Sequence, residues 1–393
     1  MKKFLKFDER TIKSYVIENG LFETQDDFTC MEIGDGNLNY IFKIKDKLST
    51  KSFIIKQADD FARISRDLIV SRSRNTYEAA AIQYTDTICT GYVPKIHKVD
   101  KTLSCFVMED LGNNSNLKDL FVNHQIIDVV AHDIADYLSK QYYYSSCFYL
   151  QKTDQKRFAH TFNNPEMCKI TAKLVFEYPY IYNEVLKTYK GKNIDYVDRR
   201  IVNNQALLKK VHEYKKSFLE KKQSFVHGDL HTGSLCYFNN QIKILDYEFA
   251  FYGPIGYDLG NILAHCIFAI IHAGAKSTCD PNAISFAKWL ISTITLLFEL
   301  FFEYTHQKIK DDFIFEEFHK EVIVDINAFC ATEIIRRILG IAKSKELVDI
   351  DKSKITEIEK QLLDFCVEII LHDDTFGLAE YVGFLNEYIK TCN

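Results

Sequence analysis

The spacing of hydrophobic positions changes near residue 112, and this change divides the chain into two predicted parts. Before this point, alternating apolar positions predict strands, and two further segments have the spacing of helices. These strands are expected at 40–45, 52–57 and 103–108, and the helices within the first 25 residues and at 74–88. After it, most segments carry apolar residues three or four positions apart, as amphipathic helices do. We therefore expect an α+β fold with a sheet-containing N-lobe over residues 1–111 and a larger, mostly helical C-lobe over residues 112–393.

The helical pattern is interrupted between residues 225 and 248. Two short apolar runs, Leu235–Phe238 and Ile242–Leu245, flank the sequence Asn239-Asn240-Gln241. Asparagine tolerates the left-handed backbone that tight hairpin turns require. The segment therefore predicts a β-hairpin embedded in a helical lobe.

Carboxylates lie at both ends of this hairpin. Asp229 precedes it, within His-Gly-Asp-Leu-His-Thr-Gly-Ser, and Asp246 and Glu248 follow it. Phosphoryl transfer requires one carboxylate to orient the acceptor hydroxyl and others to hold Mg²⁺ on the ATP phosphates. Asp229 is the candidate catalytic base, and Asp246 and Glu248 are candidate metal ligands that share one side of an extended segment. The alternative is a turn and a loop that are merely solvated.

The N-lobe contains further candidates for contacts with ATP. A glycine-containing turn at 34–37 allows backbone N–H groups to approach phosphates, and Lys56 follows on the next strand. Glu78, on the following helix, is the candidate partner of this lysine. The last N-lobe strand ends where a hinge would meet adenine. The candidate ATP-binding residues are Gly34, Gly36, Asn37, Asn39, Lys56, Glu78, Glu109, Asp110, Leu111, Asp246, Tyr247 and Glu248.

Composition excludes several other classes of protein. The net charge of −5 and the lack of a basic stripe argue against a nucleic-acid partner. The most apolar segment, 289–302, has 14 residues, which is too short to span a bilayer, so a buried helix is expected instead of a membrane segment. Eleven cysteines without a Cys-x-x-Cys pair indicate a reduced, cytoplasmic protein in which most cysteines are core residues.

Several of these motifs together resemble the 5-methylthioribose kinase family, which has a protein-kinase-like two-lobe fold. The resemblance includes Ile-Ile-Lys-Gln-Ala, Val-Met-Glu-Asp-Leu and the segment Asp-Tyr-Glu-Phe-Ala-Phe-Tyr-Gly-Pro, and it runs from about Phe22 to the helix holding Arg336. Ser234 stands where related choline, homoserine and aminoglycoside kinases usually carry asparagine, and the metal motif is Asp-x-Glu. The resemblance implies ATP-dependent phosphorylation of the C1 hydroxyl of 5-methylthioribose in methionine salvage, with Mg²⁺ and a homodimeric enzyme.

Two arginines lie far from these motifs in the sequence. On a helix over 326–341, Arg337 falls within an apolar arc and Arg336 at its edge. A buried guanidinium requires a partner. The resemblance implies that these arginines bind the sugar together with Asp229, whereas a structural ion pair with Asp325 or Glu333 is the alternative.

The resemblance also indicates which neighbouring residues support the site. It implies structural roles for His227 and Asp258 around the catalytic loop, and it leaves His231 as a residue near the acceptor. Four arginines between Lys56 and the Glu78 helix could contact phosphates and stay unassigned: Arg63, Arg66, Arg72 and Arg74.

Two other functions are compatible with parts of this pattern. A kinase of the same fold could act on choline, homoserine or an aminoglycoside, but Arg336 and Arg337 disfavour a cationic substrate. A catalytically inactive binding module would be expected to have lost Lys56, Asp229 or Asp246, and all three are present.

Overall fold

The computed structural model describes residues 4–24, 27–33, 39–62, 65–112 and 115–392, without the side chains of 62 and 65–68. The chain forms two compact units, the first comprising residues 1–114 with 243–248 and the second residues 115–242 with 249–393. The segment 243–248, which the sequence pattern placed in the C-lobe, thus groups with the first unit.

The first unit is built on a five-stranded antiparallel sheet with the strand order β1-β2-β3-β7-β6, and β4 pairs with β5. Its strands are β1 (Phe28–Ile33), β2 (Asn39–Asp46), β3 (Ser52–Ala58), β4 (Phe61–Ala62), β5 (Ser65–Ile69), β6 (Ile96–Asp100) and β7 (Cys105–Glu109), and its helices are α1 (Glu9–Glu18) and α2 (Ser73–Ile88).

The N-terminal helix is held against this sheet by apolar packing and by one buried amide. Asp8 caps α1 through the Arg10 and Thr11 N–H groups, and Ile12 joins the sheet core. Gln57 Oε1 accepts from the Phe7 N–H at 2.8 Å, and its Nε2 donates to the carbonyls of residues 5 and 103, each at 2.9 Å. Because these partners satisfy the buried amide, it anchors the N-terminal segment without an unpaired polar group.

The second unit is mostly helical. Its strands are β8 (Ser115–Asn116), β9 (Ser224–Val226), β10 (Leu235–Phe238), β11 (Gln241–Ile244, which the boundary between the units crosses) and β12 (Phe251–Gly253). Its helices are α3 (Leu117–Val122), α4 (Val130–Ser145), α5 (Lys152–Thr161), α6 (Pro165–Phe176), α7 (Tyr182–Thr188), α8 (Ile194–Val197), α9 (Gln205–Glu220), α10 (Gly256–Lys276), α11 (Ala283–Ile309), α12 (Asp312–Leu339), α13 (Lys345–Val348), α14 (Lys352–Leu371) and α15 (Leu378–Cys392).

The core of the second unit is centred on α10, which packs against α11 and α12. A Cβ atom on Gly260 would lie 2.8 Å from the Cys330 nitrogen, so this glycine lets the backbones of α10 and α12 approach closely. By length and composition, α10 and α11 could each cross a membrane, but the apolar window of α10 is entirely buried and that of α11 is 56% buried. The two helices pack against each other, and α11 also packs against α4.

The predicted fold class is confirmed, and most predicted elements agree with the structure to within a few residues. In the predicted hairpin turn, Asn239 and Asn240 both have positive φ, at 48° and 58°. One helix prediction extends too far, because α12 ends at Leu339 and Ile341 lies beyond it, 65% exposed. Gly340, directly after the helix, is a common residue at that position.

Candidate functional site

In the first unit, Lys56 is paired with two carboxylates. Its Nζ lies 2.7 Å from Glu78 Oε1 and 2.8 Å from Asp246 Oδ1. Lys56 lies on β3 and Glu78 on α2, so the lysine–glutamate pair expected from the sequence is present. Both side chains are almost fully buried, at 4% and 1% exposure. A buried pair of this kind fixes the position of the ammonium group.

The backbone after the hairpin differs from the sequence prediction. Asp246 has φ of 64°, and Tyr247–Phe249 form a 3₁₀ turn, so the predicted extended segment is wrong. The fully buried Tyr247 ring accompanies this turn, and aspartate tolerates the left-handed conformation better than most residues. Glu248 still joins the cluster, because its Oε2 accepts from Asn39 Nδ2 at 2.8 Å.

The charges in this acidic cluster are unbalanced. Burial raises the pKa of Glu78, and burial also raises that of Glu248, with a further contribution from Asp246. Burial alone would lower the pKa of Lys56, but the surrounding carboxylates outweigh it and raise the pKa. Three carboxylates thus surround the Lys56 ammonium group. Arg74, which lowers the pKa of Glu248, offsets only part of their charge, so a further cation would relieve their repulsion.

A magnesium ion fits this excess of negative charge and the all-oxygen donor set. Within the described part of the chain, no three His, Cys, Asp or Glu side chains are arranged as a complete metal site. Asp246 and Glu248 would therefore supply only part of the ligands, and phosphate oxygens and water would supply the rest, as is usual for Mg²⁺.

Asn39 and Arg74 connect the cluster to the surrounding backbone. Arg74 Nε donates to Asn39 Oδ1 at 3.1 Å, and its Nη1 donates to the carbonyls of residues 59, 70 and 71. Both ends of the Asn39 amide are therefore bonded within the protein.

Arg72 pairs with Asp60 at 2.8 Å. Of the other predicted residues, Gly34, Gly36, Asn37 and Arg63 and the side chain of Arg66 lie outside the described residues.

The predicted hinge follows β7. The Glu109 N–H donates to the Lys95 carbonyl at 2.9 Å. Asp110 accepts from the Gly112 N–H at 2.9 Å and pairs with Lys43 at 2.8 Å, and Leu111 is buried. Burial opposes ionisation of Asp110, but its hydrogen bonds, with Lys43 first, bring its pKa below the usual value. The side chain of Asp110 thus stabilises the turn, and a contact with adenine stays a prediction.

In the second unit, Asp258 holds the loop that carries Asp229. The fully buried Asp258 carboxylate accepts from the His227 N–H at 2.7 Å, the Gly228 N–H at 2.9 Å and the Tyr142 hydroxyl at 3.1 Å. Gly228 has φ of 81°, and a Cβ there would lie 2.1 Å from the Phe249 carbonyl oxygen. Only glycine fits this conformation without a shift of the backbone.

Two further hydrogen bonds stabilise this loop on either side of Asp229. His227 is fully buried, and its Nδ1 accepts from the Asp229 N–H at 3.3 Å. Ser234 Oγ donates to the Asp229 carbonyl at 3.0 Å. Ser234 therefore supports the backbone of the loop.

The Asp229 carboxylate is partly exposed and faces two nitrogen donors. Arg336 Nη2 lies 3.8 Å from Oδ1, and His231 Nε2 lies 3.6 Å from Oδ2. Burial opposes its ionisation, but His231, Arg336 and Arg337 outweigh that effect, and the pKa of Asp229 lies below its usual value. Asp229 is therefore ionised at neutral pH and can accept a hydrogen bond from a hydroxyl.

Glu333 connects the two predicted arginines. It accepts from Arg336 Nε, from Arg336 Nη2 at 3.0 Å and from Arg337 Nε at 2.7 Å, and it lies 3.3 Å from His265 Nε2. Burial opposes ionisation of Glu333, but both arginines hold its pKa well below the usual value. In the sequence analysis, Glu333 was only an alternative ion-pair partner of the arginines. It precedes them by three and four residues, a spacing that brings side chains together on a helix. Helical periodicity placed Arg337 within the buried arc and Arg336 only at its edge, whereas in the structure Arg336 is the arginine that approaches Asp229.

His265 was not singled out as a site residue. Its ring stacks on that of His231 with centroids 4.9 Å apart. Burial lowers its pKa to about 3. A histidine within the otherwise apolar run of α10 was the only sequence signal for it.

Comparisons with known proteins indicate the family of this chain. Residues 167–275, which include the Asp229 loop, match the model of the phosphotransferase enzyme family. The chain is similar to a methylthioribose kinase of Bacillus cereus, with 32% identity over 93% of this chain and 92% of the relative. It is also similar to a methylthioribose kinase of Bacillus thuringiensis, with 31% identity over 94% of both chains.

A solved choline kinase from Cryptosporidium parvum shares the fold. It has a TM-score of 0.51 at 13% identity and covers 98% of this chain and 100% of its own. At this identity the similarity indicates only the fold. The identity and coverage of the Bacillus relatives are sufficient for assignment, and the chain belongs to the methylthioribose kinase family.

Proposed function

We propose that this protein transfers the γ-phosphoryl group of ATP to the C1 hydroxyl of 5-methylthioribose, giving the 1-phosphate. This reaction is a step of methionine salvage, and we place it in the cytoplasm and in a homodimer. The substrate assignment rests on the balance of charge around Asp229. The two negative charges of Asp229 and Glu333 are matched by the two positive charges of Arg336 and Arg337. A neutral sugar suits this environment better than choline or an aminoglycoside, which are cations.

The first unit supplies the groups that bind ATP. Lys56, fixed between Glu78 and Asp246, is placed to donate to the α- and β-phosphates. Asp246 and Glu248 would hold Mg²⁺, which neutralises charge on the β- and γ-phosphates when bound. The other predicted ATP contacts, at the turn around Gly34 and Gly36 and at the hinge, are part of the same proposal.

The second unit supplies the groups that bind the acceptor. Asp229 accepts a hydrogen bond from the C1 hydroxyl and takes its proton as the hydroxyl oxygen attacks the γ-phosphorus. The new P–O bond forms while the bond from phosphorus to the ADP oxygen breaks. Arg336 lies beside Asp229 and offsets the charge of the transferred group. Arg337 is a proposed contact to the sugar.

A substrate comparison tests this function. ADP release is measured with 5-methylthioribose, choline, homoserine and kanamycin as acceptors at equal enzyme concentration. We expect turnover of 5-methylthioribose alone, with a phosphorus NMR signal for the 1-phosphate. Turnover of another acceptor without turnover of 5-methylthioribose would refute the proposal. Asp229→Ala should reduce kcat by about 10²–10⁴-fold.

A further inference from the structure

The protonation of His231 is fixed by the backbone. The Gly233 N–H donates to His231 Nδ1 at 2.9 Å, so this nitrogen is an acceptor. In a neutral imidazole the proton then lies on Nε2. Burial lowers the pKa of His231 to about 4, so the ring is neutral at physiological pH. Its Nε2–H is therefore a hydrogen-bond donor next to Asp229 Oδ2.

The ring of His231 is held in place by its surroundings. A Cβ on Gly233 would lie 2.7 Å from the ring carbon Cε1 and 2.9 Å from Nδ1, so only glycine allows the ring to lie against this backbone. The ring of His265 stacks on it at 4.9 Å, and His265 is in turn 3.3 Å from Glu333. A side chain fixed by such contacts is suited to positioning a ligand.

Hydroxyl groups can lie beside Asp229, against each of its two nitrogen neighbours. The separations of 3.6 Å to His231 and 3.8 Å to Arg336 are too long for direct hydrogen bonds. Each is short enough for one hydroxyl oxygen to bridge, since a hydroxyl can donate to the carboxylate and accept from an N–H group. The two gaps lie at different oxygens of one carboxylate. This arrangement fits two hydroxyls on adjacent carbon atoms.

We propose that His231 binds the substrate hydroxyl adjacent to the reacting one and thereby makes the site selective for a vicinal diol. The inference rests on the proposed function, in which Asp229 accepts the proton of the C1 hydroxyl. The neutral His231 donor carries no charge that could offset that of the transferred phosphoryl group, so it suits the hydroxyl on C2, whereas the charged Arg336 suits the reacting hydroxyl on C1. The C1 hydroxyl then lies between Asp229 and Arg336, where the guanidinium charge faces the incoming phosphoryl group.

A cycle of substrate and side-chain changes tests this contact. We compare kcat/KM for 5-methylthioribose and its 2-deoxy analogue in the native enzyme, in His231→Ala and in His212→Ala, which alters an exposed histidine of α9. In the native enzyme and in the His212→Ala control, kcat/KM should be about 10–100-fold lower for the 2-deoxy analogue than for 5-methylthioribose. For His231→Ala we expect a lower kcat/KM on 5-methylthioribose than in the native enzyme. Its kcat/KM on the 2-deoxy analogue should be only slightly lower than on 5-methylthioribose. Equal losses on the analogue in all three proteins would overturn the inference, as would the absence of selectivity in the native enzyme.

A second pair of variants excludes a merely structural effect. The amide nitrogen of His231→Gln can reach the place of Nε2, whereas that of His231→Asn reaches only the place of Nδ1. We expect the glutamine variant to keep selectivity for the diol and the asparagine variant to lose it; equal selectivity in both would contradict the contact. If the native enzyme does not phosphorylate 5-methylthioribose, the proposed function itself fails. The contact alone fails when the native enzyme phosphorylates both compounds equally well.

Discussion

Substitution of Asp258 by asparagine should impair catalysis without removing any group that touches a substrate. The Asp258 carboxylate accepts two backbone N–H bonds, from His227 at 2.7 Å and Gly228 at 2.9 Å. Asparagine offers one carbonyl oxygen in their place, and its amide nitrogen is itself a donor. One of the two N–H groups would therefore face another donor in a fully buried position.

The size of the effect follows from these bonds. A hydrogen bond to a charged group contributes about 1.5–3 kcal/mol. Burial raises the pKa of Asp258, which indicates a desolvation cost, so we take about 2 kcal/mol for the bond that is lost. If this free energy holds the Asp229 loop in its strained turn, its loss corresponds to about 30-fold in rate, and a shift of about 1 Å could bring this to about 100-fold.

Steady-state kinetics of ADP release provide the assay. For Asp258→Asn we expect kcat to fall about 30–100-fold, with a smaller change in KM for ATP, because the ATP-binding groups of the first unit are intact. Tyr142→Phe is the matched control, since it removes only the hydrogen bond from the tyrosine hydroxyl at 3.1 Å. It should lower kcat by less than about 5-fold. A folded Asp258→Asn enzyme whose kcat stays within about threefold of the native value would refute the role assigned to this carboxylate.

Three further substitutions test the remaining contacts. Lys56→Met leaves the carboxylates of Glu78 and Asp246 without their ammonium partner, so kcat/KM for ATP should fall about 100-fold; a normal ATP titration would contradict this. Glu333→Gln weakens the pairing of two buried guanidinium groups and should lower stability by about 3 kcal/mol, seen as a lower urea midpoint; an unchanged midpoint would mean that water compensates the arginines. The folded pKa of His265 is lowered from 6.5 to about 3, so the unfolded chain binds an extra proton between these values and stability is lost as the pH falls through that window. His265→Gln should make the decline shallower by about 1.4 kcal/mol per pH unit at most, and identical pH profiles of urea unfolding would argue against a neutral His265.

The sequence was most informative where local chemistry determines structure. Asn239 and Asn240 predicted a turn because few other residues adopt two successive left-handed conformations, and both do so. The pairing of Lys56 with Glu78 was expected from the lysine–glutamate pair of kinases, once the Asp229 motif had suggested that fold and the pattern had placed the two residues on a strand and on the next helix. These are short-range patterns combined with the motif that suggested a kinase fold.

The sequence was less informative where a residue's role depends on distant neighbours. Asp246 was placed on an extended segment because alternation is the simplest pattern for two nearby acids, whereas the chain turns there and buries Tyr247. A helical wheel describes only the angle of Arg336 around α12 and contains no information about the loop that brings Asp229 near it. The bonds of the Asn39 amide also depend on distant residues, because its partners Arg74 and Glu248 lie more than 30 and 200 positions away, and its approach to phosphates stays a prediction.

The two units differ in how their carboxylates are compensated, and this contrast supports the proposed binding of Mg²⁺ in the first unit and of a neutral sugar in the second. In the first unit, Lys56 is the ammonium partner among three carboxylates, and the pKa values of two of them are raised. In the second unit, arginines hold the pKa values of Asp229 and Glu333 down. A cluster with excess negative charge favours a cation, whereas a balanced cluster favours a neutral ligand. If the reaction instead used a cationic acceptor, the second cluster would be expected to carry an excess of acid, whereas Arg336 and Arg337 balance the charges of Asp229 and Glu333.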